Sequence, residues 1–163
     1  PLCDKLQYIA GDFTEYGGTV TSGFAKDSEE PYRNYVESLN SWCSSKFGHP
    51  KAEAVLKYVK KGRLIKDLVS DKKIFVGENG KFIAKKHRKS LKVPSDIFDL
   101  VGDQANAFVR WRVEIPGDRE PRLWSDQSLW DAWIAYYLGK KQKEPLCHVT
   151  GENSLLSSLH PKV

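Results

Sequence analysis

The chain contains no methionine, and cysteine is scarce: Cys3, Cys43 and Cys147. Thiols that are odd in number and far apart do not make a disulfide framework, and no CxxC pair is spaced for zinc. A reducing cytoplasm is the setting this usage fits. No run approaches the roughly 20 apolar residues of a membrane span, and no cationic stretch leads into an apolar one as in a signal peptide. There is no Walker A loop, no GxGxxG and no HExxH. Internal repeats and low-complexity tracts are also missing. Pro1 in first place, with no methionine anywhere, predicts a piece of a longer protein.

What is there is a globular composition. At 163 residues the chain suits a single domain, 1–163, that needs neither disulfide nor metal to fold. Net charge is +5, with pI near 9.0, and it is unevenly spread. Acids dominate from Asp12 to Glu37. Bases dominate from Lys51 to Lys66, and again from Lys81 to Lys92, where no acid occurs. A basic surface of this kind points to a polyanion, although a solvated lysine-rich face reads the same way.

Hydrophobic spacing organises the rest. Leu2 to Ala10 reads as a short element, broken by glycines from Gly11 onward. Residues 29–47 read as a helix: Ser28 is the N-cap, Glu29, Glu30 and Pro31 suit the first turn, and Gly48 is a left-handed stop before Pro50. Tyr32, Tyr35, Val36, Leu39, Trp42, Cys43 and Phe47 fall on one face, which makes them core and Cys43 a buried thiol. Ala52 to Lys60 reads as a second helix, and Leu64 to Val69 as further turns. Residues 74–76 and 82–84 flank Gly77-Glu78-Asn79-Gly80, which predicts a β-hairpin. Pro94, Ser95 and Asp96 open a new element. From Asn106 to Ile115 apolar and polar residues alternate; Ala107, Val109, Trp111, Val113 and Ile115 take the core side, and Arg110 and Arg112 project together on the other. Pro116-Gly117-Asp118 ends this strand. Ser125 or Asp126 caps a last helix whose apolar face is Leu129, Trp130, Trp133, Ile134, Tyr137 and Leu138, and Gly139 ends it. Lys140, Lys141 and Lys143 suit the helix C-terminus.

The closest gathering of reactive residue types is Cys147, His148, Thr150, Gly151 and Glu152, with His160 beyond. The segment reads as a short strand closed by a turn at Thr150–Asn153. On a strand the neighbours Cys147 and His148 point to opposite faces, so they do not make a metal pair. A nucleophilic Cys147 would need an electropositive, partly exposed setting that sequence proximity does not supply, and a buried thiol is the plainer reading. The acids are too scattered for a two-metal centre. Neither catalysis nor a cofactor is predicted.

Nucleic acid is the stronger reading. Lys81, Lys85, Lys86, Arg88, Lys89 and Lys92 lie at and after the hairpin, where they would reach phosphates. Lys5, Gln7, Asn79, Arg110 and Arg112 are the residue types that read base edges from loops and strand ends.

Four blocks carry a family resemblance: Leu2-Cys3-Asp4-Lys5-Leu6-Gln7-Tyr8-Ile9-Ala10-Gly11; Phe108 to Glu114; Leu129 to Tyr137; and Cys147-His148-Val149-Thr150-Gly151-Glu152 with His160-Pro161. In order and spacing they resemble the large subunit of the Cascade surveillance complex of type I-C CRISPR systems (the Dvulg subtype). The resemblance implies the N-terminal part of a longer, non-catalytic subunit of an RNA-guided complex. Such a subunit recognises the protospacer-adjacent motif on duplex DNA, helps to open the duplex and presents it to a helicase-nuclease, beside guide RNA and the other Cascade subunits. One departure is Lys5, where the family's front block often has Asn: Lys donates only, as a point charge.

The expectation is therefore an α+β fold. A small antiparallel sheet, including the 74–84 hairpin and the 106–115 strand, is packed by the helices at 29–47 and 126–138 and by shorter ones. Two rivals remain: a metal-dependent nuclease built on His160 and nearby acids, and a scaffold piece touching only other subunits or guide RNA.

Overall fold

The computed structural model describes residues 2–87 and 96–140. Arg88, Lys89, Lys92, Pro94, Ser95, Lys141, Lys143, the Cys147–Glu152 block and His160 lie outside the described residues. Within them the order is β1 (Asp4–Lys5), α1 (Leu6–Ile9), α2 (Glu30–Cys43), α3 (Pro50–Val59), α4 (Leu64–Ser70), α5 (Asp96–Leu100), β2 (Phe108–Val109) and α6 (Gln127–Lys140). The class is α+β as expected: a two-stranded antiparallel sheet with six helices. The sheet's members differ from the expectation. Asp4 pairs with Val109 and Lys5 with Phe108, while the 74–84 hairpin stands apart as a single bridge, Val76 to Phe82.

The hairpin is short because other groups take its hydrogen bonds. Gln104 is fully buried, and its Oε1 accepts the Phe75 N–H at 2.7 Å. Its Nε2 donates to the carbonyls of Phe75 and Ile83, both at 2.9 Å. The Phe82 N–H turns away to Tyr16 O at 2.9 Å. One side chain thus replaces part of a ladder. The turn itself is as expected, with Gly80 at φ 71.

The second strand keeps its predicted alternation. Ala107, Val109, Trp111 and Val113 face inward and Arg110 and Arg112 outward, although Ile115 is exposed. Beyond β2 the chain finds a partner that its sequence hides: Val113 N–H donates to Pro121 O, and Leu123 N–H to Trp111 O. Gly117, at φ 84, closes that loop.

Helix α2 buries the stripe its spacing predicts, α6 only part of its own, and most of the predicted helix ends are set otherwise. Ser28 does not cap α2; Asp27 Oδ1 accepts the Glu29 N–H at 3.1 Å, and the same carboxylate holds Arg33. The helix stops at Cys43 because Ser45 Oγ donates to Trp42 O and accepts from Phe47 N–H, which folds the chain back. Gly48 is needed for close approach and not for a left-handed turn: a Cβ there would stand 2.5 Å from Cys43 O. Burial pushes the half-buried Cys43 thiol up to about 11, which keeps it inert. Asp126 caps α6 as expected, accepting the Ser128 N–H at 3.0 Å and the Leu129 N–H at 3.3 Å. Gly139 does not end α6; it lies inside the helix against the Phe47 ring.

Two packed clusters result. One joins α2, α3 and α6 through Leu39, Trp42, Val55, Val59, Leu129 and Tyr136. The other joins α1 and α4 to the hairpin and Ala107 through Leu6, Ile9, Phe13, Ile65 and Ile74. Tyr35 and Trp111 border both clusters. They also share an acceptor: Tyr35 Oη and Trp111 Nε1 each donate to Leu2 O at 2.8 Å.

Tyr136 is an exception to the good accounting. It is 6% exposed, and its hydroxyl has no hydrogen-bond partner among the described residues. Replacing Tyr136 with phenylalanine removes a desolvated polar group and leaves the ring in place. The variant should gain about 1 kcal/mol in a urea titration; a loss of that size would show that the hydroxyl has a partner after all.

Candidate nucleic-acid interface

The residues predicted to meet nucleic acid are sorted by their surroundings. Lys81 is already engaged: its Nζ donates to Glu15 O at 2.6 Å, and its stem lies along Gly17. It is a strut between the hairpin and the loop after α1, so the exposed ammonium predicted to reach phosphate already holds one backbone acceptor. Asn79 turns its Oδ1 inward to the Lys81 N–H at 3.0 Å, holding the turn. Arg112 pairs with Glu114 at 2.8 Å, and Arg110 lies over the Trp124 ring, 5.6 Å from its centre. The two arginines do share the outer face of their strand, as the alternation predicts, but each has a local partner.

Lys85 and Lys86 are exposed on a single 3₁₀ turn, Lys85–His87, that follows the hairpin directly. Lys5 is exposed on β1, opposite Phe108. Gln7 follows it on α1, where the helical turn carries its side chain inward.

The fold brings Gln7 and Lys85 to one place. They line a hollow of about 420 Å³ with Phe13, Phe82, Thr19 and Asn106; Gly102, Asp103 and Ala105 also line it. Three segments meet here for reasons already given. Leu6 N–H donates to Ala107 O at 3.1 Å, which sets α1 beside residues 104–107. Gln104 ties those residues to the hairpin, and Lys81 ties the hairpin to the loop after α1.

The chemistry of the hollow is mixed. Gln7 is 8% exposed, and its Oε1 accepts the Thr21 N–H at 3.1 Å. That backbone donor fixes which way round the amide sits. No hydrogen bond from its Nε2 is found among the described residues, and the side chain lines the hollow. Asp103 accepts from the Ala105 N–H at 3.1 Å and from Asn106 Nδ2 at 3.4 Å. Phe13 and Phe82, 6.0 Å between ring centres, give an apolar wall. Lys85 is the cation at the rim.

Asn106, Asp103 and Thr19 were missed in the sequence. The Asp103-Gln104-Ala105-Asn106 run directly before a strand was the available signal, since polar residues there have to serve a turn, a cap or a ligand.

A second concavity, of about 430 Å³, is apolar and lies along α6, between Leu2, Leu123, Trp124, Trp130 and Ile134. Its exposure corrects the predicted inner face of α6. Leu129, Trp133 and Tyr136 pack inward, while Trp130 and Ile134 are 46% and 50% exposed. Among the described residues no three His, Cys, Asp or Glu side chains are grouped to hold a metal. No described helix is long and apolar enough to cross a membrane.

Comparison with known proteins gives one result. The family model described as CRISPR-associated protein (Cas_Csd1) matches residues 1–163, the whole chain. No curated protein and no solved structure matches it.

Proposed function

We propose, for a chain that belongs to the CRISPR-associated Cas_Csd1 family, that it is the N-terminal part of the large subunit of a type I-C Cascade complex. In this role it binds target duplex DNA without catalysing its cleavage. It takes part in recognising the protospacer-adjacent motif and in opening the duplex, alongside guide RNA and the other subunits, in the cytoplasm. A helicase-nuclease recruited to the complex then makes the cut. The observation that carries the DNA-binding reading is the convergence of Gln7 and Lys85 on one hollow, with Lys86 and Lys5 exposed nearby along the same chain segments. Lysines supply affinity through phosphates, and a held amide supplies selectivity.

The test is duplex binding by fluorescence anisotropy across a salt series, with and without candidate motifs. Removing one side chain that neutralises a phosphate lowers the slope of log K against log salt by about 0.9. Lys85→Ala/Lys86→Ala/Arg88→Ala/Lys89→Ala should lower the slope by about 2–4 and weaken low-salt binding by about 100-fold or more. Motif preference surviving that change would locate base reading at Gln7 and Lys5. No binding at low salt would sink the proposal. Metal-dependent cleavage of the duplex would favour the nuclease instead.

The scaffold reading has one observation of its own, the exposed Trp124, Trp130 and Ile134 surface, which resembles a subunit contact. It predicts weak duplex binding with no motif preference.

A further inference from the structure

We infer that the hollow between α1, the hairpin and residues 102–106 seats a single unpaired nucleotide. The inference rests on the DNA-binding reading and adds to it the form in which one strand is held.

Three features have to be met by one occupant. Gln7 lines the hollow with a side chain that is nine-tenths buried, and with its oxygen held by the Thr21 N–H its amide NH2 is the group left to donate. The half-buried Phe82, with the buried Phe13 tilted beside it, presents carbon, which favours the apolar face of a base. Lys85 presents a positive charge at the rim. A simple anion would use Lys85 and waste the aromatic wall. An apolar ligand would leave Gln7 unsatisfied. A nucleotide uses all three, with its base edge toward Gln7, its ring beside the phenylalanines and its phosphate toward Lys85.

The base has to be unpaired. Inside a duplex its faces are stacked and its pairing edge is occupied, so it cannot enter a recess. The walls are also fixed in advance, by Gln104 behind the hairpin and by the Lys81 strut, so little ordering remains to oppose binding.

The test compares a fully paired DNA duplex with the same duplex carrying one bulged 2-aminopurine, and with an RNA version of the bulged strand. Anisotropy gives affinity, and 2-aminopurine emission reports the base's surroundings. The bulged duplex should bind about tenfold more tightly than the paired one, the scale of one stacked base. A DNA preference would identify the target strand as the source of the nucleotide, and an RNA preference the guide; either supports the seat. Gly102→Trp fills the mouth, where a side chain meets open space. Gln7→Glu keeps an oxygen for the Thr21 N–H and replaces the donor with a second oxygen. Each should bring the ratio of bulged to paired affinity toward one. Equal binding of bulged and paired duplexes by the unaltered chain, or a ratio that survives both substitutions, overturns the seat and leaves the DNA-binding reading standing. Failure of every duplex to bind overturns both.

Discussion

Replacing Lys51 with methionine should cost about 3–5 kcal/mol of folding stability, the scale of a large core truncation. Lys51 is 2% exposed. Its ammonium reaches the carboxylate of Asp126, Asp118 Oδ2 at 2.7 Å and Glu120 O at 2.6 Å. Methionine matches the stem but leaves the buried Asp126 charge with no counter-ion. Asp126 also caps α6, so the loss reaches the helix that carries the apolar groove. The companion variant Lys51→Met/Asp126→Ser keeps a capping oxygen and removes the orphaned charge. It should recover most of the loss in urea titrations. A loss below about 1 kcal/mol for the single change would mean that water or Asp118 movement relieves the charge.

The same group sets an acid limit. Burial pushes Asp126 upward, but hydrogen bonds from Lys51, Ser128 and the Leu129 N–H outweigh it and hold the carboxyl at about 2, below its ordinary 3.8. A depressed acid stabilises the fold above its unfolded value and loses that contribution as pH falls through its folded value. The Asp126 contribution is therefore complete above about pH 4 and lost toward pH 2. Without Lys51 the acid-induced loss should begin at higher pH.

Replacing Gln104 with leucine should cost about 2 kcal/mol or more, because one substitution strands two backbone groups, at about 1–3 kcal/mol each, and weakens a third. The Phe75 N–H, the Phe75 carbonyl and the Ile83 carbonyl all depend on it, although Ile83 N–H also donates to the Phe75 carbonyl at 3.2 Å. The damage is local to the hairpin, so amide exchange of Phe75 should rise before that of α2 or α3. Phe82 and Ile83 line the hollow, and selectivity for the bulged duplex should fall with stability. Slow exchange at Phe75 in the variant would mean that the two hairpin segments pair directly once the side chain is gone.

The helices were legible because period and turn chemistry agree: the α2 stripe and the Asp126 cap read directly from sequence. The sheet was less so. An Asn-Gly turn between apolar runs predicts a ladder, but nothing local shows that Gln104, on a distant segment, takes its hydrogen bonds. Trp130 and Ile134 kept the helical period of buried residues and still face out, since period tells a face from its opposite and not which of two apolar faces is covered. Of the site, Gln7 and Lys85 were legible as residue types. The bracing role of Lys81 was not legible, because charge shows in sequence and the Glu15 carbonyl does not.

The pairing of Asp4 with Val109 has a consequence for how the molecule is made. The partners are more than a hundred residues apart. At about 5–20 residues per second, synthesis leaves Asp4 unpaired for roughly 5–20 s while α2, α3 and α4 emerge and can collapse on local contacts. Leu2, whose carbonyl can take Tyr35 early, still lacks its second donor until Trp111 emerges. Residues 2–5 are made before their partners and finish with them, so their apolar groups stay open to chaperones until residues 108–111 emerge, and the hollow forms only when β2 arrives.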